Sequence, residues 1–156
     1  MDDKKILFYL ALFLLFLAPA FLGAQTAAEM EAVLESPAVT YSQAAWFVYA
    51  SAGSTMSIEG VDFQAAFDRA MSNGWLTKKA VPDDPITLGA VSFLMMKAFN
   101  IKGGLMYLIF PGPRYAFRAM VSRSLLQGSG DPAMTVSGER FLLILGNVLN
   151  EAGGEE

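Results

Sequence analysis

The chain has 156 residues, of which 54% are hydrophobic, and it carries a formal net charge of −4. It contains no cysteine and no histidine, which excludes disulfides, thiolate metal sites, cysteine nucleophiles and histidine general bases. The negative net charge argues against nucleic acid as a partner. We therefore expect no catalytic residue, no metal site and no cofactor.

The N-terminus has the form of a secretory signal peptide. Two lysines precede the unbroken apolar run Ile6–Leu17, and the Ala-Pro-Ala sequence at 18–20 matches a cleavage site. The Gly-Ala-Gln sequence at 23–25 offers a second one. Residues 1–24 are expected to be this signal peptide. The alternative is an uncleaved membrane anchor, since Ile6–Ala24 is close to the length of a membrane helix. Both interpretations place the rest of the chain outside the cytoplasm, in the periplasm or cell envelope.

Residues 25–37 are expected to be a linker, and the first helices of the domain follow. Thr40 and Gln43 match a capping box, in which each side chain accepts a hydrogen bond from a free backbone N–H. Phe63–Asn73 has its apolar residues on one helical face. Both segments are therefore predicted to be short helices.

The stretch Pro85–Ile101 predicts the central helix. Thr87 begins it, and nearly every position from Leu88 to Phe99 is apolar. A helix that is apolar on all sides is buried in a core or in a membrane, and at about 20 Å this one is too short for a bilayer. We expect a helix that is buried on all sides within one core.

Two further helices complete the predicted fold. Tyr115–Leu126 follows a Pro-Gly-Pro break, and Thr135 is expected to begin the last helix. Residues 151–156 form an acidic tail. The predicted fold class is therefore all-α, a compact bundle of about five short helices within residues 38–150.

The threonine-led helices have the pattern of a repeat. Thr40, Thr87 and Thr135 lie 47 and 48 residues apart, and a large aromatic side chain follows each by six positions. The intervening segments also correspond, because Ala66–Met71 is similar to Ala116–Met120. Periods of about 20–50 residues indicate units that need their neighbours to bury their apolar faces.

This pattern resembles the S-layer homology (SLH) repeat across nearly all of residues 38–150. The sequences GLMYLIFPGPRYAFRAM and DPAMTVSGERFLL are similar to those of SLH-related periplasmic proteins of spirochaetes. The resemblance implies three repeats in one helical domain that attaches non-covalently to cell-wall polysaccharide. It also implies ligand contacts from a Thr-Arg-Ala-Glu motif at the helix starts, but the arginine of that motif is absent from all three copies.

The distribution of charge suggests where an anionic ligand would bind. Residues 97–140 carry six basic and two acidic side chains, whereas residues 25–96 carry three basic and eight acidic ones. Arg114 and Arg118 are spaced to share a helix face, and with Tyr115 and Arg140 they form the candidate ligand-binding set. The alternative is that the oppositely charged halves complement each other within one fold.

Six consecutive apolar residues, Leu105–Phe110, form a second candidate site. We expect this run to be extended or irregular, and to be buried. If it is exposed instead, Leu105, Met106, Tyr107 and Phe110 would form a docking surface.

Together these patterns predict an exported, non-enzymatic structural or interaction module of the cell envelope. Its expected partner is cell-wall polysaccharide or peptidoglycan, bound through a basic face. The alternative is an envelope assembly subunit that docks an envelope protein through the apolar run and has lost glycan binding.

Overall fold

The computed structural model describes residues 30–52, 61–127 and 130–153. The expected signal peptide, residues 25–29 of the expected linker and the last three residues of the acidic tail lie outside these ranges. Residues 30–34 are helical, and six further helices follow in the described ranges. Their bounds are α1 Tyr41–Ser51, α2 Phe63–Ser72, α3 Leu88–Ala98, α4 Leu105–Ile109, α5 Pro113–Ser122 and α6 Gly138–Gly153. The described chain is all-α, with no β-strand in those ranges and two isolated bridges, Thr40 with Pro85 and Thr87 with Thr135.

Helix α3 is the centre of the core, as its sequence predicts. Every residue from Leu88 to Met96 is buried, and the helix packs on α1, α5 and α6. Lys97 is the first exposed residue after this run. Burial of each large apolar side chain contributes about 1.5–3 kcal/mol, so α3 supplies much of the driving force for folding.

The starts of α1 and α3 have the predicted caps. The Thr40 hydroxyl accepts the Gln43 N–H at 3.3 Å, and the Gln43 side chain accepts the Thr40 N–H at 3.0 Å, which completes the capping box. The Thr87 hydroxyl accepts the Ala90 N–H at 3.3 Å. Each cap satisfies a backbone N–H that has no partner within its own helix.

The predicted start of the last helix at Thr135 is wrong. Helix α6 begins at Gly138, and Thr135 lies in the bridge with Thr87. The hydroxyl of Ser137 lies 3.5 Å from the Arg140 N–H, in the position that a helix cap occupies. The helix begins late because Val136 is fully buried and uses its backbone in a tertiary contact before the helix can start.

That contact is a closed ring of three backbone hydrogen bonds. The Val39 N–H donates to the Val136 carbonyl at 2.9 Å, and the Val136 N–H donates to the Ile86 carbonyl at 3.2 Å. The Ile86 N–H donates to the Val39 carbonyl at 2.8 Å. All three side chains are fully buried, so the ring joins the first, middle and last parts of the core.

The helices that follow this ring are connected to the same three segments, with the donors in the opposite cyclic order. In each case the first N–H of a helix donates to a carbonyl of a segment that precedes another helix. The three bonds are Tyr41 to Asp84 at 3.1 Å, Leu88 to Met134 at 2.8 Å and Gly138 to Ser36 at 2.9 Å. The expected linker therefore takes part in the fold, and Val33 within it is fully buried.

One further expectation from the sequence is wrong, and the structure adds a detail about the C-terminus. Leu105–Ile109 is a helix, because the glycines before it and the Pro-Gly-Pro after it leave room for one short turn of helix at an exposed corner. The acidic tail is helical up to Gly153, because Arg123 and Glu151 form an ion pair and the Asn147 side chain donates to the Leu125 carbonyl at 3.1 Å.

Candidate functional site

A groove of about 610 Å³ runs between the start of α3, the start of α5 and the turn that precedes the last helix. We call it the arginine groove. Its lining residues are Gly89, Pro113, Arg114, Phe117, Arg118, Asp131, Pro132 and Ala133. The residues that line it thus come from three parts of the chain, which only the tertiary fold brings together.

Gly89 forms the floor of the arginine groove because it has no side chain. Its N–H donates to the Pro132 carbonyl at 2.8 Å. A β-carbon at this position would lie 3.1 Å from that carbonyl oxygen and 3.3 Å from the β-carbon of Pro113. Those contacts are tighter than ordinary van der Waals packing, so the close approach of α3 to the turn depends on glycine.

One wall of the groove carries the two predicted arginines. Arg114 and Arg118 lie one turn apart on α5, and both are exposed. Within the described residues neither guanidinium forms an ion pair or a hydrogen bond with the protein. Their planar donors are therefore free to bind a carboxylate, phosphate or sulfate group in a bidentate way.

The other residues of the groove limit what can bind there. Phe117 is half-buried and offers an apolar surface beside the arginines. The Asp131 carboxylate accepts the Ala133 N–H at 2.9 Å, so it stabilises the turn. The groove therefore combines two cationic groups with an apolar wall, an arrangement that suits an anionic molecule with a partly apolar surface.

The four predicted ligand-binding residues do not all lie in one site. Arg140 lies away from the groove, half-buried over Gly130, and its guanidinium approaches the Gln127 carbonyl at 3.5 Å. Tyr115 lies against α4, where its ring centroid is 6.5 Å from that of Phe110. Only Arg114 and Arg118 of the four predicted residues line the same groove.

The predicted docking residues form an exposed apolar corner, which we call the apolar finger and define as Leu105–Phe110. The expected burial is wrong for five of its six residues. Their exposed fractions are Leu105 68%, Met106 55%, Leu108 77%, Ile109 53% and Phe110 61%. The run stays exposed because the helices around α3 already fill the core. No second layer of described helices covers this helix of five residues.

Tyr107 is the residue of the finger that faces inward. Its ring packs at 6.5 Å from the ring of Phe93, in an edge-on arrangement. Its hydroxyl is buried and has no hydrogen-bond partner among the described residues. Burial raises the pKa of Tyr107 above its ordinary value, because the charged phenolate loses hydration.

Basic residues surround the finger. Residues 85–130 contain five basic side chains and no acidic one. Lys97 and Lys102 line a hollow of about 420 Å³ with Leu108, and Arg118 lines another on the opposite side with Leu105. The groove and the finger are therefore adjacent parts of one positively charged region, with Arg118 between them.

The described residues contain no group of three or more potential metal ligands. None of the helices in those ranges is both long enough and apolar enough to span a membrane. No protein-family model, no curated protein and no solved structure matches this chain.

Proposed function

We propose that this chain is a non-enzymatic interaction module of the cell envelope that holds an anionic cell-wall polymer in the arginine groove. The observation that carries the proposal is that the guanidinium groups of Arg114 and Arg118 share one wall of that groove and have no ion-pair partner within the described part of the chain. Acidic substituents of a polysaccharide would bind these groups, and the sugar rings would lie against Phe117.

An SLH-like repeat organisation is part of this proposal. Its support is the ring of Val39, Ile86 and Val136, together with the helix starts that follow each of them. The third unit then begins at Ser137 in place of Thr135. In this alignment, Leu88 and Gly138 occupy the position of Tyr41, and each donates its N–H to a neighbouring segment.

The proposed polymer site differs from the one that the SLH resemblance implies. The helix-start motif has no arginine in this chain, and its α3 copy contributes only the glycine floor at Gly89. We place the cationic groups on the facing helix, α5, where Arg114 and Arg118 reach the same groove. The polymer would thus bind in the groove between repeat units, and the positive charge of that groove would come from α5 in place of the helix-start motif.

Export to the periplasm or cell envelope belongs to the same proposal. Its support is the signal-like sequence of residues 1–24, with cleavage or retention as an anchor both open. Cell fractionation combined with N-terminal sequencing of the mature protein tests it. Recovery of the chain in the cytoplasm would contradict the proposed location.

The polymer proposal is tested by co-sedimentation of residues 25–156 with purified peptidoglycan that carries or lacks its secondary polymers. We expect binding that requires the polymers, weakens with salt and falls about tenfold or more in Arg114→Ala/Arg118→Ala, because each charged hydrogen bond contributes about 1.5–3 kcal/mol. The matched control is Lys78→Ala/Lys79→Ala, which removes the same charge from an exposed loop away from the groove.

Two results would contradict this proposal. Equal loss in the arginine and lysine variants would show that binding depends on overall charge, not on the groove. Absence of binding to both preparations would remove the polymer as a ligand.

A further inference from the structure

We propose that the apolar finger inserts into the surface of an anionic lipid bilayer. This inference goes beyond the polymer proposal and does not depend on it, since it concerns another surface and another ligand. Leu105, Leu108 and Phe110 would enter the bilayer interface, and Lys97 and Lys102 would contact the headgroups. The finger would then hold the domain against a membrane face.

The finger presents one continuous apolar face, as helices that bind at a membrane surface do. Its exposed residues are interrupted only by Tyr107, which faces inward, and successive positions of a helix point about 100° apart. Leu105, Met106, Leu108 and Ile109 therefore lie within an arc of about 160° on the side away from Tyr107, each at least half exposed. Such a one-sided face can lie in the plane of a membrane interface with its exposed side chains toward the acyl chains.

The depth of the bilayer interface suits an exposed apolar face of this kind. Interfacial helices lie in the plane of the membrane and bury their apolar side chains about 5–10 Å into the headgroup and acyl boundary. Aromatic rings with a polar tip favour this same layer, and Tyr115 lies at the base of the finger.

The charge around the finger selects an anionic surface. Lys97 and Lys102 lie in the hollow beside Leu108 and Pro111, and Arg118 lies beside Leu105 on the other side. Among the described residues none of these three cations forms an ion pair, and Lys97 lies 5.6 Å from the ring centroid of Phe93. Basic residues next to an inserted apolar segment strengthen binding to anionic lipid headgroups.

The same charge disfavours a second copy of the chain as the occupant. A symmetric contact between two fingers would bring both sets of Lys97, Lys102 and Arg118 together. The repulsion between these cations opposes self-association, whereas an anionic headgroup layer neutralises them.

The test is flotation of residues 25–156 with vesicles of phosphatidylcholine alone or with about one third phosphatidylglycerol. This piece keeps every buried apolar side chain of the described ranges, since these lie between Val33 and Val148. We expect binding to the anionic vesicles, about tenfold weaker or more in Leu105→Ser/Leu108→Ser, because each leucine would lose its transfer to an apolar phase. Lys97→Gln/Lys102→Gln is expected to weaken binding and to reduce its dependence on salt.

Val81→Ser/Leu143→Ser is the matched control, because both of these side chains are half exposed outside the finger. It should bind vesicles as the unchanged chain does. A second measurement uses the absence of cysteine, since Leu108→Cys can carry a single environment-sensitive dye. Its emission should shift to shorter wavelength with anionic vesicles, and the same dye on Leu143→Cys should not respond.

Three results would overturn the proposal. Vesicle binding that is unchanged in Leu105→Ser/Leu108→Ser would remove the finger from the contact. Absence of vesicle binding by the unchanged chain would also overturn it. The third result is an emission shift of the Leu108→Cys dye without lipid, caused by a dimer or by an envelope protein that covers the finger. The lysine variants keep both arginines of the groove. A negative result with vesicles therefore leaves the result of the polymer assay unaffected.

Discussion

The N–H of Gly89 donates to the carbonyl oxygen of Pro132 at 2.8 Å, and a β-carbon on Gly89 would lie 3.1 Å from that same oxygen. The first turn of α3 is therefore held against the turn before α6 at a distance that a larger residue does not fit. This contact sets the floor of the arginine groove between the two segments. The width of the groove thus depends on the absence of a β-carbon at position 89.

Gly89→Ala is expected to weaken polymer binding while the fold is retained. The added methyl would push the Pro132 backbone away by a few tenths of an ångström, and such overpacking costs about 1–3 kcal/mol. The better helix propensity of alanine, about 1 kcal/mol, offsets part of this cost. Thermal unfolding and co-sedimentation measure the two effects, and unchanged retention on the polymer would contradict the role of the floor.

Gly138→Ala and Gly146→Ala are expected to change stability in opposite directions. A β-carbon at Gly138 would overlap the Val33 carbonyl, so this variant should lose about 3 kcal/mol or fail to fold. A β-carbon at Gly146, in the middle of α6, meets no atom within 4 Å, so that variant should gain about 0.5–1 kcal/mol. Denaturant unfolding of both proteins tests the packing of residues 33–34 on α6, and equal stability would contradict it.

Thr87→Ala and Thr135→Ala test where the helices begin. Thr87 caps α3, so its loss should cost about 1 kcal/mol of unfolding free energy. Thr135 is exposed and caps no helix, so its loss should change stability by no more than about 0.5 kcal/mol. A loss at Thr135 as large as that at Thr87 would restore Thr135 as the start of the last helix.

Tyr107→Phe is expected to remove part of the loss of stability at alkaline pH. Because burial raises the pKa of Tyr107 in the fold, the folded protein holds the phenolic proton more tightly than the unfolded chain. The resulting stability is fully present below pH about 10, the unfolded value, and is lost as the pH rises through the folded value. Denaturant midpoints from pH 7 to pH 11 should therefore fall less steeply in the variant.

At neutral pH the same substitution should leave stability within about 0.5 kcal/mol or increase it, since the hydroxyl has no partner among the described residues. Some loss of stability at alkaline pH should remain in the variant, because burial also raises the pKa of Tyr41. The hydrogen bond of Tyr41 to Thr87 opposes this rise in the pKa, and the charge of Asp84 reinforces it. A large loss of stability at neutral pH would show that the Tyr107 hydroxyl is bonded in solution.

Local sequence signals predicted the parts of this fold that depend on local physics. The capping box of Thr40 and the all-round burial of α3 follow from residues close together in the chain. The start of α6 could not be predicted in this way, because Val136 is fixed by bonds to Val39 and Ile86. Thr135, three residues before the helix, therefore matches the sequence pattern of a helix cap but does not cap α6.

The candidate site could be predicted only in part for the same reason. The spacing of Arg114 and Arg118 was sufficient to place them together on one helix face. The role of Gly89 depends on Pro132, which is distant in sequence, although a lone glycine near the start of an otherwise apolar helix was a usable signal. Hydrophobicity alone did not distinguish a buried Leu105–Phe110 from an exposed one, because both give the same sequence pattern.

The bond between Val39 and Val136 also sets the order in which the chain can fold. Almost the whole described domain separates these residues, so this helical protein has contacts as distant in sequence as those of many β-sheet proteins. Residues near the N-terminus must wait until the C-terminal helix has been synthesised before they find their partner. The ring of Val39, Ile86 and Val136 can therefore close only after nearly the whole described domain is available.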